Sequence, residues 1–259
     1  KFLRLTNRYR RLFQLSAGVI VKSRPMQVVL KGLGADPETL LISPSGADPL
    51  LFHGAKPASV SPRFLAVGRL VAKKGPLQTL EAFARMRDSL PESLQQDVSL
   101  DIVGDGPLRR DLERAVKQRG LVEQVALLGA LPQRQIVERM RLARGFVQHS
   151  LVAPDGDSEG NPVAVMEAQL CGLPVVATRH AGIPEVVLEE ETGLLVDEGD
   201  VDGMAVAMRR LVLEPSLAGQ FGMAGQRRVE RCFTVQHHWA AVADLLERIV
   251  AVRSLDRQG

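Results

Sequence analysis

Apolar positions along the chain switch between two periods. At Phe2, Leu5, Tyr9, Leu12 and Phe13 they recur at helical spacing. The run 18–21 predicts a short strand, Ser23 and Pro25 a helix start, and Gly32 with Gly34 a helix stop. Residues 40–42 predict another strand, ended by Pro44-Ser45-Gly46. The Gly-, Pro- and Ser-containing stretch 53–62 reads as a loose linker. Past it the alternation is regular. Strands are predicted at 63–67, 98–103, 125–128, 145–148, 175–178 and 194–196. Between them the pattern predicts helices at 76–90, 107–119, 133–142 and 162–170, with a short one near 184–188. Helical stretches at 201–213, 215–229 and 235–252 close the chain. Strands alternating with helices predict an α/β fold with a doubly wound parallel sheet.

Composition supports that class. About 45% of residues are apolar but only 4% aromatic, so the core must be built from aliphatic side chains, as in helix-covered parallel sheets. No apolar run approaches the roughly 20 residues that span a bilayer, and no secretory signal is visible at the start. Cys171 and Cys232 make neither a disulfide framework nor a metal site. A cytoplasmic setting is expected. The net charge of +3 is unevenly spread: residues 1–35 carry eight bases and no acid, leaving 25 bases against 30 acids. The basic character therefore belongs to one end, and no nucleic-acid partner is expected. That end could instead face an anionic membrane, which would make the protein peripheral at the inner membrane face.

Two clusters carry candidate chemistry. The first is Gly68-Arg69-Leu70-Val71-Ala72-Lys73-Lys74-Gly75, which follows a strand and opens a helix. Ligands of open α/β sheets bind beyond the carboxyl ends of the strands. Arg69 and Lys74 on this loop can both reach one diphosphate, Arg with a bidentate fork and Lys with a mobile charge. A solvated basic loop is the plainer reading. The second is Gly156-Asp157-Ser158-Glu159-Gly160-Asn161-Pro162, running into a helix that carries Glu167. Pro162 suits the first helical turn, and Gly160 lets a ligand approach the backbone. Free N–H groups there can cradle phosphate. Glu159 and Glu167 would flank that anion and accept sugar and ribose hydroxyls. An acidic first turn is the plainer reading here.

Other features carry less. The loops Gly104-Asp105-Gly106-Pro107 and Gly129-Ala130-Leu131-Pro132 could line a nucleobase, although turn chemistry explains them equally well. No complete G-x-G-x-x-G stands at the first strand–helix turn, which argues against a dinucleotide enzyme. His149 and His180 are isolated polar groups, not a metal site. Ser150 and Ser158 have no evident base partner, so a hydrolase triad is unsupported.

Together these residues resemble the retaining glycosyltransferases of the GT-B fold, glycosyltransferase family 4. The matching stretches are 67–75 (VGRLVAKKG), 102–107 (IVGDGP), 157–167 (DSEGNPVAVME), 171–177 (CGLPVVA), 182–185 (GIPE) and 192–196 (TGLLV). Their order covers roughly residues 40–215. The two glutamates with seven residues between them form the most specific element. The wording at 148–160 and 178–185 is similar to exopolysaccharide-assembly members of the colanic-acid type. The resemblance implies hexosyl transfer from a UDP- or GDP-linked sugar to a glycan or lipid-linked acceptor in polysaccharide biosynthesis. It implies no metal and no cofactor. Arg69 and Lys74 would neutralise the departing diphosphate, and Glu159 would touch the sugar hydroxyls. Gly160 and Asn161 would offer backbone N–H groups and Glu167 would hold the ribose, with Gly68, Gly104 and Pro162 also at the donor. Retention is usually explained by front-face attack, in which catalysis is positioning and leaving-group stabilisation.

The resemblance also divides the chain. Residues 1–53 would be the remnant of an acceptor-side Rossmann-like domain, 54–62 a linker, 63–230 the nucleotide-sugar domain and 231–259 a C-terminal helix. The glycine-rich first loop of the family's first domain is absent, so a missing lobe or partner chain is expected to complete the acceptor site. Competing classes are a non-catalytic nucleotide-sugar-binding subunit and a nucleotide-sugar epimerase.

Overall fold

A computed structural model describes the backbone of residues 2–255 and the side chains of residues 8–251. Six strands form one parallel sheet: β3 (Arg63–Val67), β4 (Ser99–Val103), β5 (Val125–Gly129), β6 (Gly145–Gln148), β7 (Val175–Thr178) and β8 (Gly193–Val196). They lie in the order β5-β4-β3-β6-β7-β8, the doubly wound order with a switch point between its first and fourth strands. That point falls between β3 and β6, so the loops leaving these two strands diverge around one crevice.

Alternation along the strands fixes both faces. Phe64 and Leu65 are neighbours in β3 yet enter different core clusters. Phe64 packs with Leu80, Phe83 and Met86 of helix α3 (Pro76–Asp88) and with Leu112 of α5 (Arg109–Gln118). Met204, Met208 and Leu211 of α9 (Val201–Leu213) complete that layer. Leu65 packs with Met140 of α6 (Gln133–Arg141) and Met166 and Leu170 of α7 (Val163–Cys171). Short helices α4 (Glu92–Gln95) and α8 (Ile183–Val186) follow α3 and β7. Arg144, 5% exposed, ties the layers by donating to the carbonyls of Val60, Leu211 and Val212.

Helix α1 (Phe2–Leu15), β1 (Val19–Val21), α2 (Arg24–Gly32) and β2 (Leu40–Ile42) form a smaller unit, with β1 and β2 paired in parallel. The side chains of Phe2 and Leu5 lie outside the described residues; of the remaining stripe, Phe13 is buried whereas Tyr9 and Leu12 are exposed. The stretch 53–62 is tied down rather than loose. Ala55 N–H donates to Cys171 O, Arg141 holds His53 O, and Pro57 is buried. Helix α10 (Pro215–Cys232) runs past residue 229, and the last helix, α11 (Val235–Leu255), begins at 235 as its pattern predicts. It returns to the small unit: Ala47 and Val235 exchange backbone bonds with Phe233 and Ala47, and Ser43 Oγ lies 2.7 Å from His238 Nδ1. Among the described residues no helix is long and apolar enough to cross a membrane.

Candidate functional site

The loop after β3 is gripped from both sides. Gly68 N–H donates to Val103 O, Leu70 N–H to Asp105 O and Leu108 N–H to Leu70 O. Gly104 has φ +135°, and a Cβ there would stand 1.9 Å from Gly68 O. On the other side Gly75 has φ +53°, and its Cβ would stand 1.9 Å from His149 O. Only glycine fits either position. Backbone contact thus fixes the loop, while Arg69 is exposed, its charge felt by Asp157, and it lines a cavity with Gly68, Lys74, Thr79 and Gln148. The two cations predicted to share an anion do face one cavity.

The loop after β6 brings the acids. Glu159 Oε2 lies 3.1 Å from Lys74 Nζ, the side chains being 9% and 18% exposed. Lys73 Nζ lies 3.1 Å from Asp157 Oδ1 and 3.3 Å from Ser158 O. The structure therefore unites Arg69, Lys74 and Glu159 across the switch point. Glu159 Oε1 and both side-chain polar atoms of Asn161 are buried with no hydrogen-bond partner. A buried polar atom without a partner is costly, and a ligand is one way to supply it.

Pro162 stands one position earlier than predicted, as the N-cap residue of α7 with extended ψ 117°. The N–H groups of Gly160, Asn161, Val163 and Ala164 have no hydrogen-bond partner among the described residues. Gly160 and Asn161 are wedged between α8 and the small unit. A Cβ on Gly182 would lie 2.7 Å from Gly160 O and 2.8 Å from Ser23 Cβ, and Glu185 accepts from Arg24 N–H at 2.7 Å. The G-I-P-E stretch thus holds the first turn of α2 against the acid-bearing loop.

Glu167 sits in the middle of α7, half-buried. Burial raises its carboxyl from 4.5 to about 7, while a hydrogen bond with Gln133 works in the other direction. An acid in this state is poised between donor and acceptor near neutrality.

Sequence reasoning missed the groups behind this loop. Ser158 does have a base beside it: His180 Nε2 is 3.0 Å from its Oγ, and His180 Nδ1 is 2.6 Å from Glu198 Oε1. His149, fully buried, accepts Gly199 N–H at 2.9 Å, and desolvation pulls its pKa down against the pull of Asp200 and Glu198. Among the described residues no cluster of three or more His, Cys, Asp or Glu is placed to hold a metal.

Comparison with known proteins gives the site a context. Residues 54–228 match the family model described as glycosyl transferases group 1. The chain is similar to the amylovoran biosynthesis glycosyltransferase AmsK of Erwinia amylovora, with 34% identity over 93% of this chain and 58% of that protein. It is 32% identical to the putative colanic acid biosynthesis glycosyltransferase WcaL of Salmonella typhimurium over 78% of this chain and 49% of that one. It thus spans about half the length of the curated relatives it matches. Among solved structures, sucrose-phosphate synthase from Thermosynechococcus elongatus superposes with TM-score 0.79 and 26% identity, covering 94% of this chain and 61% of that one. HepE from Anabaena, solved in complex with UDP, gives TM-score 0.78 at 21% identity, covering 91% and 65%, and so bears on the fold alone.

Proposed function

Because this chain belongs to the glycosyl transferases group 1 family, we propose that it forms the donor-binding part of a retaining hexosyltransferase of polysaccharide biosynthesis. The observation that carries the reading is the convergence of Arg69, Lys74 and Glu159 on one crevice at the sheet's switch point. The diphosphate of a UDP- or GDP-sugar would lie between the Arg69–Lys74 loop and the first turn of α7. There the free N–H groups of Gly160, Asn161, Val163 and Ala164 and the helix dipole favour an anion. Glu159 would turn to the sugar hydroxyls and Glu167 to the ribose. Charge on the departing diphosphate would be neutralised by Arg69 and Lys74, without a metal. That electrostatic stabilisation of the leaving group is the chemistry these residues can supply. A glycan or lipid-linked acceptor would approach from the side of the small unit, at the inner face of the membrane, with a further lobe completing its site. The relatives named for amylovoran and colanic acid synthesis support the pathway class.

A thermal-shift screen of UDP-, GDP- and ADP-sugars tests donor binding. A ligand at 100 times its Kd should stabilise the chain by about 2.7 kcal/mol, with or without chelator. Arg69→Ala should weaken nucleoside diphosphate far more than nucleoside, by roughly 1.5–3 kcal/mol. Equal losses for the two ligands would sink the diphosphate assignment. In the complete enzyme, retention predicts that the product keeps the donor's anomeric configuration, which NMR of the first-formed product reads directly.

A further inference from the structure

Ser158, His180 and Glu198 stand in the arrangement of a nucleophile, a base and an orienting acid. A second contact argues against that use. Glu159 N–H also reaches His180 Nε2, at 3.1 Å. A backbone N–H can only donate, so Nε2 is the bare acceptor and Nδ1 carries its proton toward Glu198. The one lone pair of Nε2 is already engaged by the backbone, which leaves little basicity for a serine proton.

The same contacts form a clamp. Glu198 follows β8. Its Oε1 holds His180, which in turn holds the Glu159 amide, and its Oε2 accepts Val152 N–H at 2.9 Å. One carboxylate thereby grips both ends of the exposed loop 152–159. The neighbouring Gly199 is pinned to His149 at the end of β6, so the clamp is rooted in the sheet. From the far side, Lys73 holds Asp157 and Ser158 O. His180 itself is 2% exposed, which fixes its ring.

We propose that His180 and Glu198 are positioning residues for donor binding: together they hold the Glu159 amide so that the Glu159 carboxylate meets the sugar moiety of the donor. The inference rests on the donor-binding reading given above. It makes recognition of the sugar, and not of the nucleotide, depend on a pair of residues that touch neither.

The test uses the whole chain and its His180→Ala, Glu198→Ala and His180→Gln variants. Calorimetry compares UDP-glucose and GDP-mannose with UDP and GDP, and hydrogen exchange follows the amides of Val152 and Glu159. The alanine variants should lose roughly tenfold in sugar-nucleotide affinity, keep their affinity for the free nucleotide, and exchange faster at Glu159. His180→Gln should restore both readouts, because its amide offers one acceptor and one donor in place of the two ring nitrogens. Equal losses for nucleotide and sugar nucleotide would overturn the proposal, as would unchanged sugar-nucleotide affinity despite faster exchange. If the unmodified chain binds none of the four ligands, the donor-binding reading itself fails and the clamp's role in it falls too. If it binds them and the variants behave like the parent, only the clamp fails.

Discussion

Glu167 offers a stability measurement that reports on the site without any ligand. Its carboxyl is raised by burial from 4.5 to about 7, so the fold prefers the protonated form. The sign follows from linkage. Below pH 4.5 the acid is protonated in both states and costs nothing. As pH rises from 4.5 through about 7, the unfolded chain releases the proton first and the native state is progressively penalised. Above that window the penalty is constant. At about 1.4 kcal/mol per pH unit, the gap bounds the penalty at roughly 3 kcal/mol. Partial solvent access to this half-buried side chain reduces it, so about 1–3 kcal/mol is expected.

Glu167→Gln removes the titration, and its amide oxygen can still accept a hydrogen bond from Gln133. The variant should match the parent near pH 4.5 and exceed it at pH 8. For a chain of this size each kcal/mol moves Tm by roughly 2–4 °C. Melts of both proteins at pH 5, 6, 7 and 8 therefore show a Tm difference that grows with pH and levels off above 7. A difference that stays constant, or shrinks as pH rises, would refute the argument. If Glu167 also holds the ribose, the stabilised variant should bind donor more weakly, the trade-off of a site kept strained for function.

Three further outcomes follow from contacts elsewhere in the crevice. Lys74→Ala strands the Glu159 carboxylate, which is 9% exposed, and should destabilise by about 3 kcal/mol; adding Glu159→Gln should recover part of that loss in denaturant melts, and strict additivity would contradict coupling of the pair. Gly75→Ala drives a Cβ to 1.9 Å from His149 O at a positive φ, and should cost about 3 kcal/mol or more in a urea titration. Burial pushes the Cys171 thiol up to about 11 whereas Cys232 is exposed, so a thiol reagent at neutral pH should label one cysteine of the native chain and both only after unfolding.

The sheet was legible because its strands are short aliphatic runs bounded by Gly and Pro. Residues 145–148 and 175–178 need no revision. Helix α4 was not legible, since its four residues make a single turn and carry no period. The helix after β4 starts at Arg109 and not at 107 because Leu108 N–H is taken by Leu70 O and Gly106 N–H by Asp105 Oδ1. Arg69, Lys74 and Glu159 could be named from loop chemistry alone. Their meeting could not, because it depends on β3 and β6 being neighbours, which strand order decides and local pattern does not. His180 and Glu198 fall 22 and 40 residues beyond Ser158. Only the adjacency of β6, β7 and β8 brings them behind the loop, so nothing in the spacing of the sequence marked them as partners of Ser158.

The Lys74–Glu159 pair sets a condition on any donor. With the crevice free, these two side chains satisfy each other, and Glu159 Oε1 still has no partner. A bare diphosphate that draws Lys74 away leaves a buried carboxylate without its cation, which is costly. A sugar nucleotide brings both replacements at once: phosphate oxygens for Lys74 and hydroxyl donors for both oxygens of Glu159. On the proposed roles, the site therefore discriminates between substrate and leaving product through the state of one ion pair. Once the sugar has gone, Glu159 regains its partner only by recovering Lys74 from the diphosphate, and that competition favours product release. Glu159→Gln removes the competition, because a neutral amide does not need the cation. The variant should hold free nucleoside diphosphate more tightly than the parent while losing affinity for the intact donor. Calorimetric titration with UDP, GDP and their glucose and mannose conjugates measures both. If free-diphosphate affinity falls along with donor affinity, Glu159 does not compete for Lys74 in the way the geometry implies.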